Sequence, residues 1–295
     1  MTFSEWMQLL LSGVVVGSIY ALVGLGYITI YRTSRVVNFA QGSFVMLGAL
    51  ITYSLLFEWT HLPFWLCGII AILVVVVIAI AMYRLLIAPV MKVSLVSMIL
   101  VTIGASLLFE NIALLKWGGY GMALPFFTGK APLHVGGVAV GRQGLWVIAV
   151  TVVILVGLYL LANKTLIGKK MTATASNPVS ARTCGIKTGR MVMLAFAISA
   201  TIGALGGICI SSITPTTYQT GGVLGISGFI AAIVGGWGSS AGAVVGGLTI
   251  GILTSLLTGV MPAGYANVAS FVLLIVVLYF RPSGILGTGL SEGER

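Results

Sequence analysis

The sequence predicts an all-α integral membrane protein, a polytopic helical bundle of 8–9 transmembrane segments with room for broken or re-entrant helices. Three observations carry that prediction. Hydrophobic residues make up 59% of the chain and charged residues 7%, against roughly 25% charged in a soluble domain. The apolar residues come in long unbroken runs. The charges gather between those runs, and they are mostly positive: 15 Lys and Arg against five acids, all of them Glu.

A membrane-crossing helix needs about 20 mostly apolar residues. The first such run is 6–31. It is preceded by Glu5 and by no Lys or Arg, so it lacks the basic start of a cleaved signal peptide and reads as a retained span. Runs 36–57, 62–83 and 94–115 follow. The next stretch, 116–144, is rich in Gly with Pro125 and Pro132, and reads as an extracytoplasmic connection with a short hairpin near 135–141. Run 145–162 leads into 163–190, which holds Lys164, Lys169, Lys170, Arg182, Lys187 and Arg190 and no acid. Runs 191–213, 243–260 and 264–280 complete eight spans. A further Gly-rich stretch, 221–237, reads as a full span, a broken helix or a re-entrant segment. No soluble domain large enough to fold alone interrupts the spans, so residues 1–295 read as one transmembrane domain.

Orientation follows from the cations, which are retained on the cytoplasmic side in short loops. With 163–190 placed inside, Arg32, Arg35, Arg84 and Lys92 also fall inside. Lys116, Lys130 and Arg142 fall outside, with Glu5, Glu58 and His61. Nine crossings bring Arg281 and Arg295 inside, for twelve cations in and three out; eight crossings give ten and five. The pI near 9.8 is thus explained by topology and anionic lipid rather than nucleic acid. Cys67, Cys184 and Cys209 are scattered and show no metal or disulfide spacing.

Many of the 40 glycines recur at four-residue spacing: Gly13/Gly17, Gly203/Gly207, Gly238/Gly242/Gly246 and Gly247/Gly251. Residues i and i+4 share a helix face, and small ones let helix backbones approach closely in lipid. That spacing serves either packing within one fold or an interface between two subunits.

Polar side chains inside the runs are few and therefore informative. Asn38, Phe39, Gln41, Gly42 and Ser43 stand at the inner start of 36–57. Amides donate and accept without a buried charge, and Gly42 permits close approach or a bend. They read as a helix start or gate beside a translocation path, or else Asn38 is an N-cap. Thr102 and Ser106, one turn apart, either line the inner face of their helix or bond back to their own backbone. Glu110 is the single acid well inside a run: protonated, paired with a cation such as Lys116, or reaching to the interface.

Chemistry of other kinds finds no residues. There is no Gly-x-x-x-x-Gly-Lys-Ser/Thr phosphate loop and no Asp for an Asp-based proton relay. His61 and His134 lie apart and outside the membrane. The sequence therefore predicts no enzyme, no metal and no cofactor.

Two regions carry a resemblance. Ile19-Tyr20-Ala21-Leu22-Val23-Gly24-Leu25-Gly26-Tyr27 is followed by Val37-Asn38-Phe39-Ala40-Gln41-Gly42-Ser43-Phe44-Val45-Met46-Leu47-Gly48-Ala49. The C-terminal third reads Gly228-Phe229-Ile230-Ala231-Ala232-Ile233-Val234-Gly235-Gly236-Trp237-Gly238-Ser239, then Gly242-Ala243-Val244-Val245-Gly246-Gly247, then Phe280-Arg281-Pro282-Ser283-Gly284-Ile285-Leu286-Gly287. In this order, from about residue 10 to 287, the chain resembles the LivH-type permeases of branched-chain amino acid ABC importers, multi-pass proteins of the bacterial inner membrane. Members often read Asn-Phe-Ala-His-Gly-Glu, where this chain has Gln41 and Ser43. The basic loop also lacks the Glu of the usual importer coupling signature.

The resemblance implies a permease that moves branched-chain or related amino acids inward by alternating access. It implies four partners: a second homologous permease, two cytoplasmic ATP-binding subunits and an extracytoplasmic substrate-binding protein, all in contact with membrane lipid or the permease itself. Closure of the ATPases would move 163–190. A short helix around 178–184, started by Asn177-Pro178, is the expected docking element, with Lys169, Lys170, Asn177, Pro178, Arg182 and Gly185 as coupling candidates. The alternatives are a related importer for urea or short amides, and a stand-alone secondary transporter or channel.

Overall fold

The computed structural model describes residues 3–59, 62–91, 94–129, 133–135, 138–261 and 263–287. His61, Lys92, Lys130 and Arg295 of the charge tally, and Pro132, Gly136 and Gly137 of the long loop, lie outside the described residues.

In chain order the elements are α1 (Phe3–Ser34), α2 (Gln41–Ser54) continued by a π-helical turn (Leu55–Trp59), and α3 (Phe64–Met82). The last is continued by a second π-helical turn (Tyr83–Ile87) and the single turn α4 (Ala88–Val90). Then come α5 (Leu95–Trp117), the antiparallel pair β1 (Leu133–Val135) and β2 (Val138–Val140), α6 (Arg142–Lys164), α7 (Leu166–Ser176) and α8 (Pro178–Thr183). The last four are α9 (Thr188–Ser211), α10 (Thr220–Gly235), α11 (Ser240–Val260) and α12 (Ala263–Phe280). The strand pair is the hairpin expected in the long loop, in the register Leu133 to Val140.

Among the described residues seven helices are long and apolar enough to cross a membrane, and two apolar helices are shorter. The chain is a multi-pass membrane protein of helical fold. Each expected run contains one of these nine helices. Stretch 221–237 yields α10, whose 16 residues extend about 24 Å at 1.5 Å per residue. That is short of the roughly 30 Å hydrocarbon core. Run 36–57 differs at its start. Arg35 adopts φ 57°, its N–H closes onto Tyr31 O at 2.9 Å and α1 ends. The chain stays non-helical until Gln41.

Two compact units divide the chain: Met1–Ile28, Pro125–Leu155 and Ile226–Arg295 form the first, Thr29–Leu124 and Val156–Gly225 the second. In the second unit α2 sits at the centre against α3, α5 and α9. Every α2 residue except Tyr53 is buried, which keeps its polar groups away from lipid. The helices around it show apolar side chains outward instead. Ile69, Leu73 and Val77 of α3 and Leu100, Leu107 and Leu108 of α5 are all exposed. A water-soluble protein would bury such residues; here lipid takes the place of water. Close approach makes the α2–α9 contact: a Cβ on Gly207 would stand 1.9 Å from Val45 O, and one on Gly48 would stand 2.4 Å from Ala204 Cα.

In the first unit the glycine pairs of α1 and α11 meet each other. A Cβ on Gly17 would lie 2.7 Å from Leu248 Cα, and one on Gly251 would lie 2.2 Å from Gly17 Cα. Gly13 faces Ile252 and Gly247 faces Ala21 in the same way. Gly242 and Gly246 press on Gly235 of α10. The i,i+4 glycines on these helices thus have packing partners within this chain. Gly238 does not follow: it is a turn residue with φ 94° and open space around it.

The two C-terminal motifs also bind one another. After α12 the chain turns back so that Ile285 N–H donates to Val234 O at 2.9 Å and Leu286 N–H to Gly235 O at 2.8 Å. Those bonds satisfy carbonyls at the end of α10. Gly284, at φ 80°, permits it: a Cβ there would stand 2.5 Å from Gly236 Cα.

Candidate functional site

The polar residues at the start of α2 fall into one cluster in the second unit. Asn38 lies in the turn before the helix, not at its cap. Its Oδ1 accepts from Ala40 N–H at 3.2 Å, its carbonyl accepts from Gln41 N–H at 3.0 Å, and the cap position is Ala40. Asn38 is fully buried, and its Nδ2 has no hydrogen-bond partner, a costly state for an amide. Phe39 N–H donates to Thr102 Oγ1 at 3.3 Å. The Thr102 hydroxyl itself donates to Ile99 O at 2.9 Å. Thr102 therefore bonds back to its own helix, at i−3, while its oxygen also holds the turn before α2.

Gln41 holds α2 to α9. Its Nε2 donates to Ser199 O at 3.2 Å, and the Ser199 hydroxyl donates back to Gln41 Oε1. Both residues are wholly buried. Gly42 lies against the first turns of α10, where a Cβ would stand 1.9 Å from Gly221 O and 2.8 Å from Gly225 Cα.

One turn further out, Ser43 Oγ and Ser106 Oγ are 3.0 Å apart, joining α2 to α5. Ser106 also hydrogen-bonds the Glu110 side chain. Glu110 Oε1 lies over Gly222, 2.9 Å from where its Cβ would be. Lys116 does not accompany it: its ammonium sits over the Trp59 ring, 5.3 Å from the centroid. The result is a chain of hydrogen-bonding groups, Ser43–Ser106–Glu110, that ends on the one acid of the α5 span. Such a chain can accept a proton-bearing group of a polar solute, while the Gln41 side chain is engaged with Ser199.

Sequence reasoning missed Ser199, Gly221 and Gly222. Ser199 is a polar residue in an apolar run, the same signal that singled out Thr102. The glycines carry no such signal, since their role is to be absent where a neighbour's oxygen sits.

The second candidate region is 163–190. Thr165 caps α7, its Oγ1 accepting from Gly168 N–H at 3.1 Å. Gly168 presses α7 onto the end of α6, because a Cβ there would stand 2.0 Å from Leu161 O. Asn177 caps α8, its Oδ1 accepting from Val179 N–H and Ser180 N–H, each at 3.0 Å, with Pro178 in the first turn. The helix stops in a Schellman arrangement: Ile186 N–H donates to Ala181 O at 3.0 Å and Gly185 N–H to Arg182 O at 2.9 Å, with Gly185 at φ 78°. Both ends of this six-residue helix are closed by its own residues. Ala181 anchors it, while Asn177, Pro178, Val179, Arg182 and Gly185 are exposed, as are Lys169 and Lys170 on α7. The face shown combines cations with Leu166 and Val179, each more than 70% exposed.

Comparison with known proteins gives a consistent picture. The model of the family described as branched-chain amino acid transport system, permease component, matches residues 9–278. The high-affinity branched-chain amino acid transport system permease protein LivH of Escherichia coli (strain K12) is 29% identical, over 97% of this chain and 96% of its own length. The corresponding protein BraD of Pseudomonas aeruginosa is 29% identical over 96% of each. Among solved structures, PsaBC from Streptococcus pneumoniae in complex with Fab superposes with a TM-score of 0.51 at 13% identity, covering 94% of this chain and 92% of that one. At that identity the likeness is one of fold.

Proposed function

This chain belongs to the branched-chain amino acid transport permease family, and on that premise we propose that it carries branched-chain amino acids inward across the bacterial inner membrane. It is the permease component of an ATP-driven importer, and its family implies ATP-binding and substrate-binding partners. In our reading the set is a second homologous permease, two cytoplasmic ATPases and one extracytoplasmic binding protein, and residues 1–295 act as one permease domain. The observation that carries the coupling half of this reading is α8, a helix capped at both ends whose Val179 and Arg182 are exposed. A preformed, exposed, positively charged element loses little entropy on docking. Together with α7 it is the surface on which the ATPase would seat, and 163–190 is accordingly cytoplasmic and 116–144 extracytoplasmic.

The transport half rests on the cluster around α2. Gln41 and Ser199 hold α2 to α9, Gly42 lets α10 close on α2, and Ser43 of α2 meets the polar edge of α5 formed by Ser106 and Glu110. We assign Asn38, Phe39, Gln41, Gly42, Ser43, Thr102 and Ser106 to the gate. The Asn38 amide, buried and without an acceptor in this conformation, acquires one when the gate moves. Reconstituted with its partners, the permease should import labelled Leu, Ile and Val in an ATP-dependent way. Uptake of urea or a short amide in place of these would assign it to a related importer, and uptake without ATPases would overturn the importer reading.

A further inference from the structure

An open cleft of ≈ 660 Å³ lies in the second unit, lined among others by Tyr83, Arg84, Arg182, Lys187, Thr188 and Arg190. Four of these are cations, and no described carboxylate lines the cleft. Arg182 is aimed: its Nε donates to Thr188 Oγ1 at 3.0 Å, which fixes the guanidinium plane and leaves its outer nitrogens for a ligand. The 24-residue helix α9 begins here with Lys187 at its cap position and no side-chain cap, so its positive end adds to the cations. Tyr83 closes the back wall, its hydroxyl 3.5 Å from where a Cβ on Gly189 would be and its ring 5.5 Å from that of Phe196.

Such a cleft suits a phosphate ester, and its surroundings select the source. Arg84 sits in the π-helical turn that prolongs α3, within the apolar stretch Phe64–Val90. Its neighbour Leu85, just outside the cleft lining, is 75% exposed, so apolar surface adjoins the cations at the end of this span. Cations at the end of a span reach to headgroups in this way. We propose that the cleft between the π-helical turn after α3 and the start of α9 binds the phosphate of an anionic phospholipid, whose acyl chain lies along Leu85. Arg84, Lys187 and Arg190 supply charge, and Arg182 with the start of α9 supplies direction. The cleft shares Arg182 and Gly185 with the docking region but not Lys169, Lys170 or Val179, so the two proposals are tested at different residues.

The test is native mass spectrometry of the full chain from nanodiscs holding equal phosphatidylglycerol and phosphatidylcholine. The wild type should retain phosphatidylglycerol preferentially. Arg84→Gln with Arg190→Gln should cut that preference on the order of tenfold, as expected for two cations at a lipid phosphate. Arg84→Lys with Arg190→Lys should keep most of it, and thermal unfolding of each variant separates lost binding from lost folding. Lys169→Glu with Lys170→Glu, which addresses only the docking proposal, should leave lipid retention unchanged. Equal retention of the two lipids by the wild type, or an unchanged preference in the folded Gln variant, overturns the proposal. So does displacement of the lipid by millimolar glycerol phosphate, which would assign the cleft to a soluble phosphate ester.

Discussion

Gln41 and Ser199 stand 158 residues apart in sequence and bind each other twice, side chain to backbone and side chain to side chain, with neither exposed. This exchange ties the centre of the second unit to α9. Removing one partner strands the other in an apolar setting, which costs about 1–3 kcal/mol. Gln41→Ala and Ser199→Ala should each lower the unfolding temperature in detergent. The double variant Gln41→Leu with Ser199→Ala should recover part of the loss, because it strands no polar side chain. A double variant as unstable as the sum of the singles would show that the pair is not coupled.

Close packing makes a contrast among glycines. Gly42→Ala and Gly207→Ala each place a methyl 1.9 Å from a backbone oxygen, so a helix must move, and overpacking of this kind costs about 1–3 kcal/mol or more. Gly104 has nothing within 4 Å, and Gly104→Ala should be neutral or slightly stabilising in a helix. Folded yield and thermal stability of the three variants check this; equal behaviour would contradict the packing.

Loss of the cap should loosen the docking helix without touching the membrane spans. Asn177→Ala removes two accepted hydrogen bonds, worth about 1 kcal/mol of local stability. ATP-dependent uptake should fall while membrane insertion and yield stay constant, and Asn177→Asp should restore uptake. Undiminished uptake in Asn177→Ala would argue against α8 as the coupling element.

Charge reversal tests the same surface by another route. Lys169, Lys170 and Arg182 changed together to Glu should abolish co-purification with the ATPases and leave membrane insertion intact. Normal association and transport by the triple variant would remove the docking proposal. Lys169→Glu with Lys170→Glu alone gives a partial loss if the two helices contribute jointly.

The C-terminal latch depends on one glycine. Gly284→Ala meets both a positive φ and a methyl 2.5 Å from Gly236 Cα. It should break the bonds from Ile285 and Leu286 to the end of α10, seen as faster backbone amide exchange at those two positions. Unchanged exchange would show that the latch tolerates the substitution.

Local chemistry made much of this legible in advance. Asn177-Pro178 announced α8, because capping and proline geometry are properties of neighbours in sequence. The apolar runs announced the helices, since lipid demands about 20 apolar residues whatever the partner. The start of α2 was misplaced for the opposite reason. Val36 and Val37 are apolar enough for a span, and only the turn built by Arg35 and Asn38 stops the helix there. Glu110 offered three readings by composition, and its bond to Ser106, with Lys116 held over Trp59, lay beyond any local rule.

The sequence by itself determined that this chain lives in a membrane, which segments are helical, where the cations gather, and to which family its motifs point. These follow from solvent, periodicity and short-range capping, which act within a few turns of chain. Only the tertiary structure decided that Gln41 pairs with Ser199, that Gly17 meets Gly251, that the two C-terminal motifs latch together, and that Arg84 joins Arg182, Lys187 and Arg190 around one cleft. Each of those unites residues tens to hundreds of positions apart. In lipid the choice among such partners is made by backbone fit and by the need to satisfy buried polar groups, and neither is written in the hydrophobic pattern of any one segment.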